Sequence, residues 1–262
     1  MEAAVTLITG ASGGIGEKLA HLAARAGRKL VVTARSAKGL KAVADAIAAK
    51  GHARPVEIAL DLAEAGAADR IAAQLKRHRL TVAELVNNAG YALRGPAARL
   101  PRADQVGIVD LNVRALTDLT LNFLPEIIAA HGGILNVAST ASFQPGPGMA
   151  VYYASKAYVL SFSEALAWEL RGRVRVTALC PGPTPTGFQD RAQGVRESRI
   201  RLVPTLTAEQ VAEQGWRGFE RGRRIVVPGL LNKIGVALAP RQPRGLTLAL
   251  SAWLTGGGEA TA

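Results

Sequence analysis

The 262-residue chain is poor in cysteine, in aromatic residues and in acid. A lone cysteine, Cys180, excludes an intrachain disulfide framework and fits a reducing compartment. The histidines His21, His52, His78 and His131 are dispersed, so no Cys/His cluster exists and no metal is expected. Aromatics make up only 5% of the residues, and no basic stretch is interleaved with them, so a nucleic-acid partner is not expected. The acids form no obvious pair of the glycosidase type. They are outnumbered 20 to 32 by Lys and Arg, which leaves a net charge of +12. A solvated basic surface is the plain reading of that surplus; a phosphorylated ligand or an anionic membrane are the others. No apolar run reaches the roughly eighteen residues of a membrane span. Residues 230–254 come nearest, and Lys233, Pro240, Arg241, Pro243 and Arg244 interrupt them. The chain runs from Met1 straight into a short apolar strand, with no secretory leader, so a cytoplasmic location is expected.

What the chain does have is alternation. Short β-branched runs at 5–9, 30–34, 56–60, 85–88, 133–139, 174–180 and 225–227 read as strands, most of them continuously apolar, as for strands covered on both faces. Helical patterns lie between them. Ile15, Leu19, Leu22, Ala23 and Ala26 recur at helical spacing, and Gly27 marks that helix's end. Ala-rich stretches at 36–50 and 64–78 read likewise, with Gly51 ending the first. Repeated strand–helix–strand units predict an α/β fold: a doubly wound parallel sheet of seven strands between helical layers, which binds ligands at the strands' carboxyl ends.

Between the first strand and the first helix stands Thr9-Gly10-Ala11-Ser12-Gly13-Gly14-Ile15-Gly16. Gly10 allows a tight turn, Gly14 lets backbone approach a pyrophosphate, and Gly16 lets helix and sheet pack closely. The helix N-terminus then offers N–H groups to phosphates. This G-x-x-x-G-x-G spacing resembles the short-chain dehydrogenase/reductase family. Further matches follow in the family's order: Asn87-Asn88-Ala89-Gly90 after the fourth strand, Ser139 after the fifth, Tyr152-x-x-x-Lys156, then Pro181-Gly182 with Thr186 beyond. The resemblance spans about residues 5–230. It implies a single Rossmann-type domain over 1–262, a homodimer or homotetramer, and a small carbonyl or alcohol substrate.

The resemblance also implies a cofactor. The family's NAD-binding acid would fall at Ala34, and Arg35 follows it, so NADP(H) is expected, with Arg35 on the 2′-phosphate and Lys38 adding charge. A solvated surface arginine is the other reading of Arg35. No basic residue stands inside the glycine turn; Ser12 is left to donate a hydrogen bond. Gly10, Ser12, Gly13, Gly14, Ile15 and Gly16 form the phosphate cradle. Asp61 and Leu62 would meet the adenine, with a helix N-cap as the alternative for Asp61. Asn88, Ala89 and Gly90 would line the ribose, Asn87 and Asn88 also bracing the sheet. Pro181, Gly182 and Pro183 would border the nicotinamide, whose carboxamide Thr186 would bind, with Thr184 competing for that role.

For chemistry, Tyr152 and Lys156 sit at i and i+4 on one helix face. A free tyrosine titrates near 10; an adjacent ammonium and an oxidised nicotinamide are both expected to favour the phenolate, lower that value and make Tyr152 a general acid/base. Tyr153 is excluded as the family tyrosine because position 157 is Ala. Ser139, with Thr140 and Ser142 as neighbours in contention, would hold the substrate oxygen or else cap a turn. Asn112 interrupts a helical pattern, and the resemblance implies that its backbone carbonyl helps carry a water to Lys156; helix bending is the plain alternative. All four of Asn112, Ser139, Tyr152 and Lys156 are present, which speaks against a non-catalytic NADP-binding sensor or scaffold. Substrate choice is expected from Phe143–Met149 and from a loop at about 183–207, which carries Arg191, Arg196, Arg199 and Arg201. The tail from about 230 to 262 is read as a packed helix that covers the active site, joins subunits or rests on a membrane surface.

Overall fold

The computed structural model describes residues 2–185, 205–239 and 243–256. The short apolar runs form seven strands: β1 (Ala3–Thr9), β2 (Leu30–Ala34), β3 (Val56–Ala59), β4 (Leu80–Asn87), β5 (Gly133–Val137), β6 (Arg175–Leu179) and β7 (Ile225–Val226). All pair in parallel, in the order β3-β2-β1-β4-β5-β6-β7. Nine helices accompany them among the described residues: α1 (Gly14–Arg25), α2 (Ala37–Ala48), α3 (Ala67–Arg77), α4 (Arg102–Val109), α5 (Leu116–Ala129), α6 (Ala150–Glu169), α7 (Ala208–Glu220), α8 (Leu230–Leu238) and α9 (Arg244–Thr255).

Successive strand residues point to opposite faces, and each face has its own core. Leu7, Leu85 and Ile134 pack with Ile71, Leu119 and Phe123 on the side of α3 and α5. Ile8, Val86 and Leu135 pack with Leu19, Leu40 and Phe219 on the side of α1, α2 and α7. This two-sided burial explains the continuously apolar strand sequences and makes the molecule a three-layer sandwich. The sheet is wound outward in both directions from β1 and β4. Their carboxyl ends therefore diverge into a crevice at the switch point.

Strand ends depart from the sequence reading in two ways. The fourth strand begins at Leu80 rather than Leu85. Thr81 and Glu84 break its apolar run, yet Glu84 is only 4% exposed and fully engaged. It accepts from Thr6 Oγ1 (2.8 Å), Arg28 Nε (3.1 Å) and Arg175 Nη2 (2.9 Å). A buried carboxylate is tolerated where cations and hydroxyls satisfy it. In the opposite sense, β3, β5 and β6 stop short of Leu60, Ser139 and Cys180. Single ladder bonds continue past them, from Ala138 N to Leu179 O (2.7 Å) and from Thr140 N to Pro181 O (2.9 Å). The strands splay where side chains must turn into the crevice.

Candidate active site

At the carboxyl edge lies one large cleft, of about 1040 Å³. At one end of it the glycine turn is packed to the limit. Gly10 takes a φ of +64°, and a Cβ there would lie 2.9 Å from the Ala89 Cα. A Cβ on Gly16 would lie 2.4 Å from both Gly10 O and Asn88 Nδ2. Only glycine fits at either place. The turn is fastened to the end of β4: Asn88 Nδ2 donates to Thr9 O (3.0 Å) and Gly10 O (3.1 Å). The Asn88 and Ala89 N–H groups donate to Thr9 Oγ1 (2.9 and 3.0 Å). Asn88 therefore braces the turn. Asn87 braces the sheet, donating to Thr120 Oγ1 (3.0 Å) and Asn136 Oδ1 (2.9 Å). Gly13 precedes α1 with no side chain capping the helix N-terminus, which suits an anion.

Ser12, Gly14, Ile15, Arg35, Asp61, Leu62, Ala89 and Gly90 also line this end. Asp61 is not the cap of the next helix, since α3 starts at Ala67 behind Gly66. It forms instead a local turn, accepting from Ala63 N (2.9 Å), and its other oxygen lies 3.9 Å from Arg35 Nη1. That ion pair is long and the Arg35 side chain 61% exposed, so it constrains the guanidinium little. The cradle, the open helix end and a mobile cation over the β2 carboxyl end fit a phosphorylated dinucleotide.

At the other end Ser139, Tyr152 and Lys156 converge. Tyr152 and Lys156 share one face of α6, and Lys156 Nζ lies 6.0 Å from the Tyr152 ring centre. Ser139 caps a 3₁₀ turn, its Oγ accepting from Ala141 N (3.1 Å), and it also hydrogen-bonds the Tyr152 phenol. The residue that caps this turn is thus also the one beside the Tyr152 phenol. Ser142 is spent elsewhere, donating to Lys156 O (2.7 Å), whereas Thr140 lines the cleft. Pro181, Gly182, Pro183 and Thr184 line it too; Thr184, 8% exposed, donates to Gly182 O (3.0 Å). Thr186 and the arginines at 191, 196, 199 and 201 lie outside the described residues.

The electrostatics of the pair differ from the sequence expectation. Burial dominates both groups. Tyr152 is only half-buried as a residue, but the packing around its phenol pushes it up to about 12 rather than down, with the Ser139 hydrogen bond holding it back. Lys156, 5% exposed, is pushed down to about 8, and its ammonium donates to Val137 O (2.7 Å).

Asn112 has a structural post of its own, made by its side chain. It lies in a π-helical turn, Asp110–Ala115, between α4 and α5, a geometry that displaces carbonyls from their usual partners. Its buried side chain clamps the end of the β4 loop to α6. Oδ1 accepts from Tyr91 N (3.1 Å), and Nδ2 donates to Tyr91 O and Ser155 Oγ (3.0 Å each). Gly90 passes between the two groups: a Cβ there would lie 2.9 Å from Asn112 Oδ1 and 3.6 Å from Lys156 Nζ.

The tail contributes to the cleft, one of the roles that the sequence reading left open to it. Helices α8 and α9 supply Leu231, Asn232, Val236, Leu238, Leu250 and Leu254 to its lining. Asn232 sits on Gly182, where a Cβ would lie 2.6 Å from it. Thr255 Oγ1 donates to Pro147 O (2.6 Å), and Arg94 Nε donates to Thr255 O (2.8 Å). The Tyr153 phenol is buried near Ser251, and Gly146 runs flat against its ring. Of the roles open to the tail, covering the site is the one these contacts describe. Leucines at i and i+4 in 246–254 were the signal that pointed to a second packed face.

Residues 4–195 match the family model described as short chain dehydrogenase. Among curated proteins, a sulfoacetaldehyde reductase of Chromohalobacter salexigens is 39% identical over 215 residues, 79% of this chain and 84% of that protein. A short-chain dehydrogenase of Sphingobium yanoikuyae, solved in complex with NADPH, superposes with a TM-score of 0.79 at 29% identity, over 93% of this chain and 94% of its own. A second structure, from Burkholderia phymatum in complex with NAD, gives 0.80 at 26% identity, over 90% and 92%.

Proposed function

This chain belongs to the short-chain dehydrogenase family, and from that premise we propose that it is an NADP(H)-dependent oxidoreductase that reduces a carbonyl to an alcohol. The observation that carries the reading is convergence. Ser139, Tyr152 and Lys156 meet at one end of a cleft whose other end is the glycine cradle with Arg35. When bound, the dinucleotide supplies the hydride for the carbonyl carbon. Gly10, Ser12, Gly13, Gly14, Ile15 and Gly16 hold its phosphates, and Arg35 favours the form with a 2′-phosphate. Asp61, Leu62, Asn88, Ala89 and Gly90 border the adenosine side; Pro181, Gly182, Pro183 and Thr184 border the other.

The protein's part is oxygen and proton. Ser139 fixes the carbonyl oxygen beside the Tyr152 hydroxyl, which gives its proton to that oxygen as negative charge develops. A phenol raised to about 12 keeps its proton at neutral pH, so the resting state is the one reduction requires. Lys156, at about 8, is still cationic at pH 7 and favours the phenolate left behind. Asn112 positions the loop and helix around it.

The test is NADPH oxidation with ketones, aldehydes and 3-oxoacyl thioesters. Tyr152→Phe should lose about 10²–10⁴-fold in rate while still binding NADPH. A Tyr152→Phe protein that turns over at the wild-type rate would overturn the assignment.

A further inference from the structure

We infer that the substrate of this site is an uncharged ketone or secondary alcohol bearing a bulky apolar group, seated against a wall formed by α8 and α9. The inference rests on the reductase reading and adds the substrate class. Three observations carry it.

The first is the chemistry of the lining. The cleft that Tyr152 lines is walled by Met149 from the loop before α6, and by Leu231, Val236, Leu238, Leu250 and Leu254 from the tail. Leu231, Leu238 and Leu250 line the cleft and yet remain 61%, 50% and 45% exposed. Apolar surface held open on a concave wall is surface that an apolar ligand removes from water.

The second is the disposition of cations. An anionic substrate needs a cation at hand, and among the described residues that line this end Arg94 and Lys156 are the cations. Arg94 is turned onto the Thr255 carbonyl, and Lys156 onto the Val137 carbonyl. Arg35 stands at the opposite, adenosine end.

The third is that the wall is built rather than draped. Thr255 holds the 144–149 loop through Pro147, Arg94 holds the Thr255 carbonyl, and Asn232 is seated on Gly182. These contacts tie α8 and α9 to the loop before α6 and to the end of β6.

The experiment uses the full chain with NADPH and a series of 2-alkanones from acetone to 2-decanone, alongside sulfoacetaldehyde and a short 3-oxo acid. The expected result is a kcat/KM that climbs about three- to fourfold per methylene until the wall is filled, the scale of burying one such group. The anions should fall about 100-fold or more below the best ketone, a buried charge lacking a partner being costly. Leu254→Gln and Leu250→Gln should each raise KM for the long ketone about tenfold, with kcat and NADPH affinity little changed. Leu248→Gln, on the same helix but off the lining, should leave KM as it is. A flat chain-length series, a preference for either anion, or unchanged KM in both lining variants overturns the apolar wall while leaving the reductase reading intact. NADPH binding without turnover of any carbonyl overturns the reductase reading itself.

Discussion

The two ends of the cleft are made in different ways. The cofactor end is backbone: a glycine turn clamped between Asn88 and α1, with no room for a methyl group at Gly10 or Gly16. The substrate end is side chain, and partly exposed: leucines of α8 and α9 around a phenol, with the tail tied down by a few hydrogen bonds. The first end is the kind that binds one ligand in one pose. The second can vary from chain to chain without disturbing the sheet, because little of the core depends on it. A family that keeps one cofactor chemistry and changes substrate needs this division.

The sharpest way to break the comparison is at Gly16. Its Cβ would lie 2.4 Å from a backbone oxygen, so Gly16→Ala must move the turn. We expect a loss of about 1–3 kcal/mol in stability, read as a lower Tm, with NADPH binding falling alongside it. An equal-sized truncation at the substrate end should leave NADPH affinity alone. If Gly16→Ala instead binds NADPH normally, the cofactor end is less rigid than its packing.

Next in size is Arg35. Removing a charge-assisted contact to a phosphate costs about 1.5–3 kcal/mol, so Arg35→Ala should weaken NADPH about 10- to 100-fold. NADH should hardly change, because Arg35 is otherwise tied only to Asp61 at 3.9 Å. Equal losses for the two dinucleotides would remove the 2′-phosphate assignment.

The pH dependence sits between the two ends. Lys156 is depressed to about 8 by burial, so its positive charge is present below that pH and lost above it. Log kcat/KM for NADPH, which reports the free enzyme, should be level below pH 8 and fall by about one unit per pH unit above it. Tyr152, raised to about 12, adds no limb of its own near neutrality. A profile that instead breaks near pH 10 would show the lysine to be less desolvated than its 5% exposure implies.

The smallest effect belongs to the tail. Thr255→Val removes one hydrogen bond to Pro147 and should cost about 0.5–1.5 kcal/mol, seen as a modest fall in Tm. KM for an apolar ketone should rise while NADPH affinity stays put. A shift in NADPH affinity would mean the two ends are coupled.

Much of the frame is legible in one sequence because it rests on short-range physics. Period-two and period-3.6 patterns mark strands and helices, and the glycine turn is a local steric demand. So are Tyr152 and Lys156, one helical turn apart. What the sequence misplaces depends on partners far along the chain. The polar start of β4 reads as loop until Arg28 and Arg175 are seen around Glu84. Asn112 reads as a helix interruption, and only the fold shows that it clamps Tyr91 to Ser155.

The sequence by itself therefore determined the winding of the sheet, the cradle and the placing of Tyr152 and Lys156 on one helix face, since each follows from spacing within one or two elements. Only the tertiary structure decided the charge state of that pair and the character of the substrate wall. Both depend on which distant side chains exclude water from a given atom. Burial raises Tyr152 where proximity to Lys156 alone would have lowered it. The leucines of a segment more than a hundred residues from the glycine turn become the far side of the same cleft.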